Sequence, residues 1–165
     1  MTVDEAIRTF HAVRQFADRP LPDDLVEAIL NAGRRSQSSK NTQPWEFVAV
    51  RKRETLQRLA TTGTFAGHLA GAALGVVLVG HDEVPYDLGQ VTAYMQLDAW
   101  SRGIGSCIAY IYEPDQARAI LNIPADTYVR YALSFGYPAE EPTRRPGLAR
   151  QGRRPLAEVV HWDQW

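Results

Sequence analysis

One helical stretch of this sequence carries more apolar surface than a small domain can easily cover. Residues 87–102 combine a stripe of apolar residues at helical spacing with three large side chains beside it: Leu88, Val91, Met95 and Ala99, and Tyr94, Leu97 and Trp100. A helix that is apolar on more than one face is normally buried on more than one side. The chain has 165 residues, the length of one domain, so we expect a second copy to complete the burial and predict a homodimer.

Helices and short strands are predicted to alternate along the rest of the chain. Thr2 and Glu5 have the spacing of a capping box, and Pro22 with two acids marks a second helix start. Helices are predicted at residues 3–10, 22–33, 54–60, 87–102 and 115–121, and strands at residues 47–50, 74–79, 107–112 and 129–135. No linker or repeat divides the chain, so we expect a single domain over residues 1–165.

A continuous polar run, Ser36 to Gln43, lies between the second helix and the first strand. It contains no Gly, it follows Arg34 and Arg35, and it ends at Pro44-Trp45. Ordinary loops usually contain Gly or Asp in such a run. Hydroxyls, amides and positive charge in one short segment suit a flat, polar and partly anionic small molecule.

The side chains offer no obvious catalytic group of their own. Neither the glycine-rich nucleotide-phosphate motifs nor a Gly-x-Ser-x-Gly elbow occurs, and the histidines lack the spacing of metal ligands. Cys107 lies within a predicted strand, where a small buried apolar residue is the expected role. If the chain is an enzyme, a cofactor should therefore carry the reaction.

Bulk properties narrow the partners and the location. The net charge of −1 favours neither nucleic acid nor an anionic membrane surface. The longest weakly polar run, residues 69–80, is too short to span a bilayer, and Asp4 and Glu5 interrupt any signal sequence. One cysteine excludes an intramolecular disulfide, and we expect a cytoplasmic protein.

The end of the chain changes character. Residues 143–154 hold five arginines and no acid, and residues 155–160 return to apolar spacing, which suggests that this arm docks on a surface. Arginine suits bidentate phosphate binding. Arg150, Arg153 and Arg154, together with Arg14 near the other end, are therefore phosphate-binding candidates, although basic tails also bind nucleic acid.

Five motifs in a fixed order resemble the nitroreductase family of flavoproteins over nearly the whole chain. They are Val-Arg-x-Phe at residues 13–16, Ser-Ser-Lys-Asn-Thr-Gln-Pro-Trp at 38–45, Gly-Ile-Gly-Ser at 103–106, Leu-Ser-Phe-Gly-Tyr-Pro at 133–138 and Arg-Arg-Pro-Leu at 153–156. The resemblance implies an α+β fold, with a central, mostly antiparallel sheet flanked by helices in three layers. It also implies an intertwined homodimer in which an arm, residues 139–165, docks on the partner subunit.

The resemblance further implies two FMN sites at the subunit interface. The implied cofactor-binding residues are Arg14, Ser38, Ser39, Asn41, Gln43, Gly105, Ser106, Arg153 and Arg154. The arginines would hold the FMN phosphate, and the serines would reach the flavin from the partner subunit. The backbone of the Gly-Ser pair would face the reactive edge of the ring. Hydride would pass from NADH or NADPH to the flavin and then to a nitro compound, a quinone or a similar small acceptor.

The chain departs from the family pattern in its first motif. Members usually carry Arg-Arg-Ser or Arg-His-Ser where this chain has Phe10-His11-Ala12, so one phosphate arginine is missing unless Arg8 swings in. Two interpretations therefore stay open: a flavin oxidoreductase, and a non-catalytic binding protein for flavin or deazaflavin. The sequence does not distinguish NADH from NADPH, because no residue in sight would bind a 2′-phosphate.

Overall fold

The computed structural model describes residues 1–139 and 153–165 of the chain. Residues 140–152 lie outside the described residues, and they include Arg150 and most of the predicted basic segment. The helices are α1 (Val3–Thr9), α2 (Asp23–Arg34), α3 (Arg53–Leu59), α4 (Pro85–Ser101) and α5 (Pro114–Leu121). The strands are β1 (Trp45–Val50), β2 (Leu74–Gly80), β3 (Gly105–Tyr110) and β4 (Tyr128–Gly136).

All nine predicted elements are present, with shifted ends. The capping box at α1 is confirmed, since Thr2 and Glu5 bond each other's backbone N–H groups. Strand β3 begins two residues earlier than predicted, because Gly105 pairs with Gly136 of β4. Residues 11–16 form no strand, and Phe16 makes an isolated β-bridge with Pro138.

The four strands form one antiparallel sheet in the order β1-β2-β4-β3. Strand β1 is therefore at one edge and β3 at the other. The register aligns the start of β1 with the end of β2 and the start of β4, since Trp45 pairs with Gly80 and Gly80 with Tyr128. The opposite end of the sheet contains the start of β3, where Gly105 pairs with Gly136.

Helices cover both faces of this sheet because each strand alternates its side chains between two cores. Leu78 and Leu133 belong to one core with α2 and α4, and Val77 and Ala132 belong to the other with α3 and α5. This three-layer arrangement confirms the predicted fold class.

Helix α4 is covered by its own chain along one stripe. Its predicted stripe, Leu88, Val91, Met95 and Ala99, is fully buried. Of the three large side chains predicted beside the stripe, Tyr94 keeps 40% of its surface exposed, whereas Leu97 and Trp100 are half-buried by their own chain. Only part of the predicted second apolar face is therefore left to solvent in a single copy, and the homodimer stays a prediction.

Burial in the α2–α4 core can be tested with two isoleucines that differ in exposure. Ile29 of α2 is fully buried, and Ile7 of α1 is 60% exposed. Ile29→Ala should lower the free energy of unfolding by about 2–5 kcal/mol, since it leaves a cavity. Ile7→Ala should change it by less than about 1 kcal/mol. Urea unfolding at one fixed protein concentration measures both, and equal losses would contradict the assigned core.

Candidate functional site

The predicted site residues fall into separate groups, and the first surrounds the start of β3. Arg14 is exposed on the segment between α1 and α2. Its neighbour Val13 donates its backbone N–H to the carbonyl oxygen of Ser106 at 2.9 Å. A Cβ added to Gly105 would lie only 2.7 to 2.8 Å from Val13 side-chain carbons, so the glycine permits this close approach. The fold therefore brings Arg14, Gly105 and Ser106 together.

Both oxygen atoms of Ser106 accept hydrogen bonds from residues of its own chain. It is fully buried, its hydroxyl oxygen accepts a hydrogen bond from Nε2 of Gln96 at 3.2 Å, and its carbonyl oxygen accepts from Val13. These bonds tie β3 to α4 and to the Arg14 segment. The buried side chain of Ser106 therefore has a structural role, which is to hold the start of β3 in place.

The second group lies in the loop between α2 and β1. Ser38 is half-buried, and Ser39, Asn41 and Gln43 are exposed. The hydroxyl oxygen of Ser38 accepts a hydrogen bond from the backbone N–H of Gln43 at 2.9 Å, which closes the loop. A single 3-10 turn at Ser39–Asn41 presents the remaining polar side chains to solvent.

This loop has an uncommon backbone. Lys40, Asn41 and Gln43 have φ values of 51°, 56° and 48°, in the left-handed region that disfavours residues other than glycine. Such conformations cost about 1–3 kcal/mol each and cluster at ligand-binding sites. Three of them among four residues indicate that the loop is held in this form to present polar groups. The run therefore needs no Gly, because Asn tolerates the left-handed region and the Ser38 bond closes the turn.

The two groups stand at opposite ends and opposite edges of the sheet. The loop leads into Trp45 at the start of β1, and β1 ends at Val50 on the side where Gly105 begins β3. Six residues of β1 correspond to about 17 Å, and three strand spacings add about 14 Å across the sheet. The loop and Arg14 are therefore far apart within a single copy of the chain.

Arg153 and Arg154, near the end of the chain, differ in their contacts. Arg154 donates from its guanidinium to the carbonyl oxygen of Glu158 at 2.7 Å and lies 3.4 Å from its carboxylate. Arg153 is exposed, and it pairs with no carboxylate within residues 1–139 and 153–165. Arg153 is thus better placed to meet an anion, while Arg154 stabilises the turn at Leu156–Glu158.

A buried polar cluster beside Arg14 was missed by the sequence analysis. His68, in the 3-10 turn before β2, is 9% exposed, and its Nδ1 lies 2.7 Å from the hydroxyl oxygen of the fully buried Ser134. The Ser134 hydroxyl donates to the carbonyl oxygen of Cys107 at 3.3 Å. These residues are far apart in the sequence, and only the pairing of β3 with β4 places them together.

The pKa values of this cluster reflect burial, one nearby charge and a backbone hydrogen bond. Burial lowers the pKa of His68, the positive charge of Arg14 lowers it further, and a hydrogen bond with the backbone of Ile108 offsets part of that decrease. Burial raises the pKa of the Cys107 thiol, and Arg14 offsets part of that rise. Cys107 is therefore a protonated, 2% exposed side chain, which confirms its predicted role as a small buried residue.

Two negative findings concern the described part of the chain. Residues 1–139 and 153–165 contain no group of three His, Cys, Asp or Glu side chains that could hold a metal ion. Among the helices of those same ranges, none has both the length and the hydropathy needed to cross a bilayer.

Solved structures share the fold of this chain. The chain superposes on an FMN-dependent nitroreductase from Clostridium difficile with a TM-score of 0.85, at 24% identity, over 97% of this chain and 98% of that one. An NADPH:FMN oxidoreductase from Vibrio harveyi, solved with NAD⁺, gives a TM-score of 0.85 at 22% identity, over 99% of this chain and 77% of that one. The fold is that of the nitroreductases.

The sequence comparisons identify the family itself. The nitroreductase family model matches residues 7–62 and 67–137, and a protein of Archaeoglobus fulgidus is 32% identical over 147 residues. That relative, which carries the provisional name NADH dehydrogenase/NAD(P)H nitroreductase, is matched over 82% of this chain and 84% of its own length. The chain belongs to the nitroreductase family and is an oxidoreductase, as its motifs predicted.

The lowered pKa of His68 predicts a pH dependence of stability. The unfolded state takes up the proton near the ordinary pKa of about 6.5, whereas the folded state resists it, so stability falls as the pH drops through that value. His68→Asn should reduce the loss between pH 7.5 and pH 5.5, because it removes the titrating group. His81→Asn, at a 57% exposed side chain, is the control. Identical pH profiles for both variants, measured by urea unfolding, would contradict the assignment.

Proposed function

We propose that this protein is an FMN-dependent oxidoreductase. It takes hydride from NADH or NADPH and delivers reducing equivalents to a nitro compound, a quinone or a similar small acceptor. Family membership supports the proposal, and so do the printed names of two proteins with this fold, an FMN-dependent nitroreductase and an NADPH:FMN oxidoreductase. A bound flavin supplies the two-electron chemistry that no side chain near Arg14 offers.

The chemistry of the described side chains fits FMN. The phosphate needs cations, and Arg14 and Arg153 are exposed guanidinium groups that pair with no described carboxylate. The polar edge of the ring needs neutral hydrogen-bonding groups, and the loop offers the hydroxyl of Ser39 and the amides of Asn41 and Gln43. No acidic residue interrupts that loop.

One observation carries the proposal of a shared site: the loop and Arg14 lie at opposite ends of the sheet. Both groups can contact one FMN when the loop of one subunit meets the Arg14 segment of another. In this arrangement a homodimer holds two equivalent sites, and each subunit contributes one half to each.

The end of the chain supports the same arrangement. Leu156, Trp162 and Trp165 are 71%, 81% and 100% exposed, which is unusual for large apolar side chains. Within residues 1–139 and 153–165, every hydrogen bond of the segment 153–165 joins two residues of that same segment. We propose that the arm, residues 139–165 of a single domain, docks on the partner subunit and delivers Arg153 to its FMN phosphate. We also propose a cytoplasmic location, where the single thiol stays reduced.

Removal of the Arg14 guanidinium should weaken FMN binding. Arg14→Ala should raise the dissociation constant about tenfold or more, because a charge-assisted contact contributes about 1.5–3 kcal/mol. Arg58→Ala, at an exposed position of α3, should leave the dissociation constant unchanged. Quenching of flavin fluorescence during titration measures both. Equal affinities for the two variants would contradict a phosphate role for Arg14.

Sharing of the site can be tested by mixing two defective subunits. Homodimers of Arg14→Ala and of Asn41→Ala should each bind FMN weakly at both sites. In their heterodimer, one site combines the intact Arg14 of one subunit with the intact loop of the other, and the second site has both defects. Co-expression with two affinity tags should therefore recover about half of the wild-type flavin content per dimer.

Absence of any recovery in the heterodimer would contradict the shared site. If each site were built within one subunit, both sites of the heterodimer would carry one defect. The heterodimer would then bind FMN as weakly as the two parent homodimers.

A further inference from the structure

Arg14 belongs to a short exposed span of backbone that is anchored at both ends. Before it, the buried Val13 donates its backbone N–H to the carbonyl oxygen of Ser106 at 2.9 Å. After it, the carbonyl oxygen of the exposed Gln15 accepts a hydrogen bond from the backbone N–H of Ala139 at 3.1 Å. The backbone of Arg14 is therefore held from two directions, by the start of β3 and by the residues that follow β4.

The side chain of Phe16 adds a packing contact just beyond this span. Phe16 is half-buried and lies against Gly136, the last residue of β4. A Cβ added to Gly136 would lie 2.9 Å from Cδ1, 3.0 Å from Cγ and 3.1 Å from Cβ of Phe16. Carbon atoms pack best at about 3.5–4.0 Å, so only glycine at this position allows Phe16 to lie so close. The contact continues at Ala17, which donates its backbone N–H to the carbonyl oxygen of Tyr137 at 2.9 Å.

The two glycines that receive this segment are partners in the sheet. Gly136 pairs with Gly105 across the β3–β4 ladder, and directly opposed residues point to the same face. A Cβ added to Gly105 would lie 2.7 to 2.8 Å from Cβ and both Cγ atoms of Val13. Both contacts involve the first carbon atoms of a side chain, which cannot swing away unless the backbone moves. Val13 and Phe16 therefore fix the backbone on either side of the Arg14 span.

We propose that Phe16 and Gly136 are positioning residues for Arg14, and that their contact holds the arginine where it meets the FMN phosphate. This inference rests on the proposed function. Ordering a mobile segment at the moment of binding costs affinity, and a segment that is already fixed in the folded protein avoids that cost. Neither residue needs to touch the cofactor, because both act through the backbone that carries Arg14.

An added methyl group at Gly136 tests this role. Gly136→Ala should displace Phe16 and lower the affinity for FMN about tenfold, as Arg14→Ala does. Riboflavin is FMN without the phosphate, and the proposed contact of Arg14 is with the phosphate alone. Gly136→Ala should therefore bind riboflavin within about twofold of wild type. Gly71→Ala is the matched control, because a Cβ there would meet no heavy atom within 4 Å, and it should change neither affinity.

Two further variants separate positioning from a general loss of structure. Phe16→Leu removes the aromatic ring and adds no methyl group, so it decides the question if Gly136→Ala does not fold. It should weaken the binding of FMN about threefold and leave that of riboflavin unchanged. The Arg14→Ala/Gly136→Ala double variant should bind FMN no more weakly than Arg14→Ala, because positioning has no effect once the guanidinium is absent.

Fluorescence titrations with FMN and with riboflavin, on variants whose fold is checked by circular dichroism, give the outcome. Equal losses of affinity for the two flavins, additive losses in the double variant, or wild-type affinity for FMN in Phe16→Leu would overturn the positioning role while FMN binding stands. A wild-type protein that binds no FMN would overturn the proposed function itself.

Discussion

The antiparallel pairing of the four strands is the constraint on which the candidate site depends. The order β1-β2-β4-β3 puts the two sequence segments with binding chemistry at opposite edges, and the register puts them at opposite ends. No local rearrangement of the loop before β1 could bring it to Arg14, because both faces of the sheet are covered by packed helices. The proposed site, which uses both segments, therefore requires a second copy of the chain.

The same strand pairing determines which residues lie near the segment that carries Arg14. Val13 bonds to the start of β3, and Gly105 allows the close contact, so the segment that carries Arg14 is held against the start of β3. Phe10 makes an edge contact with the ring of Trp100 at 5.9 Å, and Arg8 pairs with Asp4 across one turn of α1. Phe10, at a position where family members usually carry an Arg-Arg-Ser or Arg-His-Ser motif, thus packs against Trp100. Arg8 forms an ion pair within α1. This leaves Arg14 as the main cation of the segment.

The sequence was sufficient to locate the five α-helices and four strands of the described fold to within a few residues, because periodicity, caps and glycines act locally. It also identified the polar loop and the nitroreductase family through short contiguous motifs. It could not reveal the left-handed backbone at Lys40 and Gln43, since neither residue type favours that region. It could not find the contact of His68 with Ser134 either, because strand register, and no spacing in the chain, creates that contact.

The central claim is that one flavin site needs two copies of the chain. Sedimentation velocity of the flavin-loaded protein, diluted through its dimer dissociation and recorded at the protein and flavin absorbance bands, tests this most directly. The account predicts that flavin absorbance sediments only with the dimer and that the monomer boundary is colourless. Flavin that sediments with the monomer at a stoichiometry near one would contradict it.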